Sequence, residues 1–393
     1  MMTILETTRQ LASLTHNEHL MSAHASGRRI IGYFCAYIPE EIIHAAGCIP
    51  YRMRAAQSTG TTLGDTWFSS INCTFVRHVF DKVLRHDFDF LDGVVFMNGC
   101  DHLRRVYDNW RFAGVSTPFL HMFITPHVIN DNARSQYRRE CLKFKEALEK
   151  HLGTVITDQA LQASIRLYNR KRALLQEIYE LRKGITIPIK GSEMLALMLA
   201  VTAVPVEDAI EILQQILIEI KGRDASAPGD IRIFLAAGHM EEIDHLELLE
   251  ECGATIAGDN LCMGLRHFDG QASVKGDVLG ALAERYVGHI SCPRMINDFQ
   301  RRLDHAKATC RDYAIDAIIL EKMKFCDLWG GEAFIWRNEF KKTGFPILVL
   351  ERELYGGSTG QIRTRVQAFF EQVRNQQAHD DFVPAAGKDY RLK

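Results

Sequence analysis

The chain has 393 residues, with 47 Lys+Arg against 49 Asp+Glu and a net charge of −2. The near-neutral balance excludes the basic footprint of a nucleic-acid binder, and the length predicts two or three domains at ~100–200 residues each. Ten cysteines are too sparse for a disulfide scaffold; with no apolar signal core among the first residues, and with the longest apolar run (Met194–Val206) short of a bilayer span, the expectation is a cytoplasmic chain with reduced thiols and no membrane partner.

A helical segment is expected over residues 1–28. From 29 to 132 short apolar runs alternate with helical patterns. Ile30–Ile38 reads as a strand, Pro39-Glu40-Glu41 as a helix start, and Gly47 as a stop before a strand at Ile49–Met53. Gly93–Met97 is a strand, Asp101 opens the helix DHLRRVYDNWRF, and Phe119–Thr125 is another strand. Residues 133–228 have helical periodicity and alternating charge, with Thr157 and Asp158 as cap candidates, and read as a helical connector; Met194–Val206 reads as a buried helix within it. Residues 229–375 return to strand–helix alternation: strands at Ile231–Ala236, Ala254–Ala257, Asp316–Leu320 and Phe345–Leu350, helices at 241–253 and 361–375. A polar tail is expected from 376 to 393.

The two alternating regions resemble each other. GYFCAYIPEEIIHAAGCIP answers RIFLAAGHMEEIDHLELLEECGATI, and LDGVVFMNGCDHLRRVYDNW answers IDAIILEKMKFCDLWGGEAFIW. The expected fold is therefore α/β, with two Rossmann-like lobes, each a parallel sheet, joined by the helical connector. Ligands of such sheets sit beyond the carboxyl ends of the strands.

The common catalytic motifs are absent or misplaced. The chain has no P-loop, no G-x-G-x-x-G after a strand, no H-E-x-x-H and no C-x₂-C. Gly356-Gly357-Ser358-Thr359-Gly360 matches G-x-S-x-G, but the only histidine after it is His379, in a polar tail with Asp380 and Asp381 on the wrong side of it, so it reads as a turn. His239 and His245, six apart, read as surface residues. Three cysteines stand out. Cys100 and Cys326 follow strand ends at matching positions in the two regions, and Cys73 precedes a helix. Helix N-termini lower thiol pKa values and favour thiolates. On spacing alone, the three also read as ordinary buried cysteines.

Several stretches together carry a resemblance: GYFCAYIPEEIIHAAGCIPYRMR, NGCDHLRRVYDNWR, GDNLCMGLR, KFCDLWGGE with the following FPILVLERE, and GQIRTRVQAFFE. In this order, from about Gly32 to Phe370, they resemble the iron–sulfur subunits of 2-hydroxyacyl-CoA dehydratases and of ATP-dependent benzoyl-CoA reductase. The resemblance implies one 4Fe-4S cluster per chain and none beyond it, held by the positions that match Cys73, Cys100 and Cys326. It implies a heterodimer with a paralogous iron–sulfur subunit, a separate ATP-hydrolysing iron–sulfur activator that injects single electrons, and an acyl-CoA substrate. In the dehydratases one-electron reduction gives a ketyl radical that expels the α-hydroxyl and acidifies the β-proton; in the reductase the electrons stay in the ring. An electron-relay or assembly subunit is a further alternative. Glu41 matches an acidic position near the substrate and is either a proton-transfer group or a first-turn helix acid. Arg104 and Arg105 either hold CoA phosphates or a partner, or are solvated helix charges. Arg266 serves the thioester region or pairs with Asp259, and Cys262 and Cys292 read as core thiols.

Overall fold

Apolar runs too short for helices and bounded by turn residues become strands here, and all but Leu120–Phe123 and Ile347–Arg352 are buried along nearly their whole length. The computed structural model describes residues 3–223, 229, 231–356 and 359–382. Its strands are β1 (Ile30–Tyr33), β2 (Ile49–Arg52), β3 (Gly93–Met97), β4 (Leu120–Phe123), β5 (Ile231–Ala237), β6 (Ala254–Asn260), β7 (Ala317–Met323) and β8 (Ile347–Arg352). They form two four-stranded sheets of the same order, β2-β1-β3-β4 and β6-β5-β7-β8, with every pairing parallel. The protein is thus α/β with two Rossmann-like lobes.

Alternation along each strand divides its apolar side chains between two layers, as a doubly covered parallel sheet requires. Val94 and Phe96 face one core and Val95 and Met97 the other; in the second lobe Phe234 and Ala236 face one, Ile233 and Leu235 the other. In both sheets the chain starts in the middle, steps outward once, then crosses back. The order therefore reverses beside β1 and β3, and again beside β5 and β7. A crevice opens beyond the carboxyl ends of such strands.

The helix Asp101–Phe112 forms as expected, as does Asp158–Glu180 behind its Thr157 cap. Other elements differ. β1 stops at Tyr33, because the chain turns at Cys35, whose carbonyl accepts from the Ile38 N–H at 3.0 Å. β6 runs on to Asn260. The apolar stretch Met194–Val206 is divided: one buried helix ends at Val201, and Pro205 caps the next, Val206–Lys221. Helix Val278–Gly288 lies within the stretch read as the second lobe, yet Val278, Leu282, Tyr286 and Val287 pack into the first lobe's core. The last helix, Thr359–Phe382, passes through position 376 into the expected tail, whose residues 383–393 lie outside the described ones. Gly357 and Ser358 of the G-x-S-x-G stretch also lie outside them.

One close approach holds the helix Thr74–Leu84 in place. A Cβ on Gly64 would stand 2.3 Å from the Arg77 carbonyl oxygen and 3.1 Å from the Asp81 nitrogen, both helix backbone atoms. Gly64→Ala is expected to destabilise the protein by ~1–3 kcal/mol through overpacking and to displace the helix that Cys73 begins. Urea unfolding measures the first effect; an unchanged midpoint counts against the packing argument.

Candidate functional site

The carboxyl ends of the two sheets meet across one cavity. It has a volume of about 140 Å³, opening into a cleft with about 960 Å³ of non-protein space in all. That is close to the ~150 Å³ void that admits one benzene ring.

Three helices begin at its wall, and each begins with a cysteine. Cys73 is the N-cap of Thr74–Leu84, Cys100 of Asp101–Phe112 and Cys326 of Asp327–Thr343. All three line the cavity. A helix N-terminus offers unpaired N–H groups and a partial positive charge, so it favours an anion there. In the metal-free chain, however, burial outweighs those N–H groups. It raises the Cys73 thiol above its usual pKa, pushes Cys326 to about 12 and raises Cys100 too. The expected lowering at helix starts is therefore not found: the backbone N–H groups favour the thiolate, but the desolvation of these half-buried thiols is the larger effect.

His102, in the first turn of the helix that Cys100 caps, joins the three segments. Its Nε2 lies 2.9 Å from the Phe325 carbonyl oxygen, which accepts, and its Nδ1 lies 3.0 Å from the Asn72 side chain. Each contact is made to the residue just before a cysteine. Phe325 itself has φ 63°, a left-handed conformation that is strained for a bulky side chain. His102→Ala is expected to leave the fold intact but to loosen the spacing of Cys73 and Cys326 about Cys100. On the iron–sulfur expectation that the resemblance implies, the check is iron retention during anaerobic gel filtration, expected to fall severalfold, with retention equal to wild type counting against the positioning role.

The rest of the wall is mostly apolar, with buried arginines set into it. Arg52, Arg266 and Arg294 are buried and line the cavity. Arg266 donates to the Ala237 carbonyl at 2.7 Å and stacks on Trp329, while its Nε and Nη1 have no partner. Arg52 leaves Nε and Nη1 unpaired, and Arg294 leaves Nε. Buried guanidinium groups with idle N–H donors are costly unless an anion meets them. Asp259 pairs with Arg182 at 3.1 Å, so it is not the partner of Arg266.

Sequence reasoning misses part of this wall. Cys35, Cys262 and Cys292 also line the cavity, so Cys262 and Cys292 are not core thiols. His239 and His245 are not surface residues either. Their side chains keep only 11% and 10% exposure, on Glu241 and Glu321 respectively. His239 lines the cavity beside Cys262. Burial works against the charged form of both, but their mutual hydrogen bond and Arg52 win for Cys262, which falls to about 6, and Glu241 and Cys262 raise His239 to about 8. Cys35, Cys100, His239 and Cys326 all follow strand ends flanking a reversal of strand order, so the switch-point rule is the available signal.

Glu41 is fully buried but is not part of the cavity wall. It is ion-paired with Arg172 and accepts a hydrogen bond from the Tyr286 hydroxyl at 2.7 Å. Burial raises its carboxyl pKa, and Arg172, Arg285 and Tyr286 more than reverse this, holding it below the usual carboxylate value. Arg104 and Arg105 are exposed, each 3.3 Å from an aspartate on its own helix, and neither lines the cavity. Among the described residues, no three His, Cys, Asp or Glu side chains group as ligands of a single metal ion do, and no helix is long and apolar enough to cross a membrane.

The chain is similar over most of its length to subunits of two kinds of acyl-CoA enzyme. It is 27% identical to a benzoyl-CoA reductase subunit of Thauera aromatica, covering 88% of this chain and 91% of that protein. It is 24% identical to the (R)-phenyllactyl-CoA dehydratase beta subunit of Clostridium sporogenes, over 88% and 92%, and 22% identical to the (R)-2-hydroxyglutaryl-CoA dehydratase beta subunit of Acidaminococcus fermentans, over 93% and 97%. Residues 35–373, from the cysteine after β1 to the last helix, match the model of the 2-hydroxyglutaryl-CoA dehydratase D-component family, and the chain belongs to that family.

Proposed function

We propose that the chain is an iron–sulfur subunit of a radical-type acyl-CoA enzyme, in the first instance a 2-hydroxyacyl-CoA dehydratase. The observation that supports this most is the convergence of Cys73, Cys100 and Cys326, from three helix starts in two lobes, on one cavity. The donor set suits a 4Fe-4S cluster: each thiolate takes its own iron, so the ligands need not close on one point as they do around zinc. The unpaired N–H groups of Arg52, Arg266 and Arg294 suit its negative charge. Bound there, such a cluster supplies single electrons and an iron position that no cysteine fills.

The chain's own residues supply the surroundings. Phe34, Leu103 and Trp329 wall the cavity and exclude water. The enclosed space is too small for a whole CoA, which therefore lies along the open cleft. Arg104 and Arg105 stand outside and are assigned to CoA phosphates or to the partner. Ile71, Ile296 and Phe325 are exposed on the cysteine-bearing segments, which favours a docked paralogous subunit over the opening. Electrons are taken to come from a separate ATP-hydrolysing activator, as the family resemblance implies, and a reducing cytoplasm suits the free thiols.

The likeness to the benzoyl-CoA reductase subunit favours one second reading, a dearomatising reductase subunit. Anaerobic co-purification with its partner subunit, followed by acyl-CoA assays with activator and ATP, tests both. The expected result is bound iron and ATP-dependent conversion of a 2-hydroxyacyl-CoA to the enoyl-CoA. Reduction of benzoyl-CoA selects the second reading, and an iron-free complex overturns both.

A further inference from the structure

The ten cysteines fall into two sets that the sequence does not separate. Cys48, Cys141, Cys252 and Cys310 are buried inside the apolar cores. The other six are partly accessible, and all six line the one cavity. One 4Fe-4S cluster on Cys73, Cys100 and Cys326 leaves three thiols idle on the same wall.

We propose that Cys35, Cys262 and Cys292 are a second ligand triad, so that the cavity holds a second iron–sulfur unit beside the first. The inference rests on the iron–sulfur reading of the first triad and replaces the expectation of one cluster per chain. The three thiols come from different elements: Cys35 from the turn after β1, Cys262 from the loop after β6, and Cys292 from the segment after helix Val278–Gly288. That helix packs on the first lobe, which brings Cys292 to the opening. Its N–H donates to the Tyr37 hydroxyl at 3.3 Å, two residues past Cys35. Cys292 also lies within electrostatic reach of Cys35 on one side and of Cys100 and Cys326 on the other. The two triads therefore share one space.

Charge favours the larger occupant. The buried wall carries Arg52, Arg266 and Arg294, each with unpartnered N–H donors. Arg52 Nη2 lies 3.9 Å from the Cys262 sulfur, and Arg294 lies over the Tyr37 ring, with 5.1 Å to its centroid. Arg52, Arg266 and Arg294 thus stand by thiols of the second triad, while Arg352, paired with Glu242 and Glu321, is the buried arginine beside Cys73. Thiolates on iron, with the sulfides between the irons, are the anions such donors meet.

The test is the full chain reconstituted anaerobically with ferrous iron and sulfide, with iron, sulfide and zinc counted per chain. Wild type is compared with C35S/C262S/C292S and with C73S/C100S/C326S, each checked for fold by circular dichroism. The second-triad variant is expected to lose about half the iron and sulfide of wild type while keeping a 4Fe-4S signal in the reduced-state EPR spectrum. Where the triple variant does not fold, the single variant C292A serves, and it is expected to lose iron and change that spectrum. Equal iron in wild type and folded second-triad variant, or zinc alone on that triad, overturns the proposal and leaves the first triad standing. A wild type without iron overturns the iron–sulfur reading itself.

Discussion

Replacing Cys100 by alanine is expected to remove the cluster proposed on Cys73, Cys100 and Cys326 and to leave the protein folded. Cys100 is the N-cap of its helix but makes no capping hydrogen bond through its side chain, so alanine there removes no cap. Its place on the cavity wall, flanked by Cys73 and Cys326, makes it central to the proposed cluster. The anaerobically purified variant should show iron and sulfide lowered to about half of wild type, the share of the second triad, with the melting temperature compared in the metal-free state and nearly unchanged. Unchanged iron content would sink the ligand assignment.

Glu41→Ala is expected to have the opposite profile, harming the fold first. Glu41 and Arg172 are an ion pair whose side chains retain 0% and 3% exposure. Removing one partner of such a pair costs about 3–5 kcal/mol, because the remaining charge is buried alone. Urea unfolding should show that loss. The lowered folded pKa of Glu41 sets the pH dependence. Its stabilisation is fully present above the ordinary carboxyl value of 4.5 and is lost as pH falls through the lower folded value. Glu41→Gln discriminates between roles. A proton-transfer group would lose turnover with stability close to wild type, whereas the geometry predicts lost stability.

Much of the fold is legible because it rests on local patterns. GVVFM is a buried strand, and the Cys-Asp pair after it starts a helix at the residue expected, since strand length, apolar run and cap all lie within about twenty residues. Cys73, Cys100 and Cys326 are legible by the same means, as residues at strand ends and helix starts. What is illegible is non-local. No periodicity says that Val278–Gly288 crosses to the first lobe, and without that crossing Cys292 reads as a core thiol. His239 and His245 look like surface residues in the sequence because a six-residue spacing says nothing of the Glu241 and Glu321 carboxylates that hold them. The thiol pKa expectation fails for a related reason: the helix-terminus effect is local, whereas burial depends on the opposite lobe.

The placement of the cysteines at the ends of two separate sheets also bears on how the chain tolerates unfolding. Cys73 and Cys100 belong to the first lobe and Cys326 to the second, with the whole helical middle of the chain between them. A metal unit shared by all three is a cross-link that closes this long loop. By the chain-entropy argument, such closure removes about 5 kcal/mol of freedom from the denatured ensemble. On the proposed iron–sulfur reading the site would be a staple between lobes as well as a reaction centre, since iron bound to all three thiolates would resist their separation.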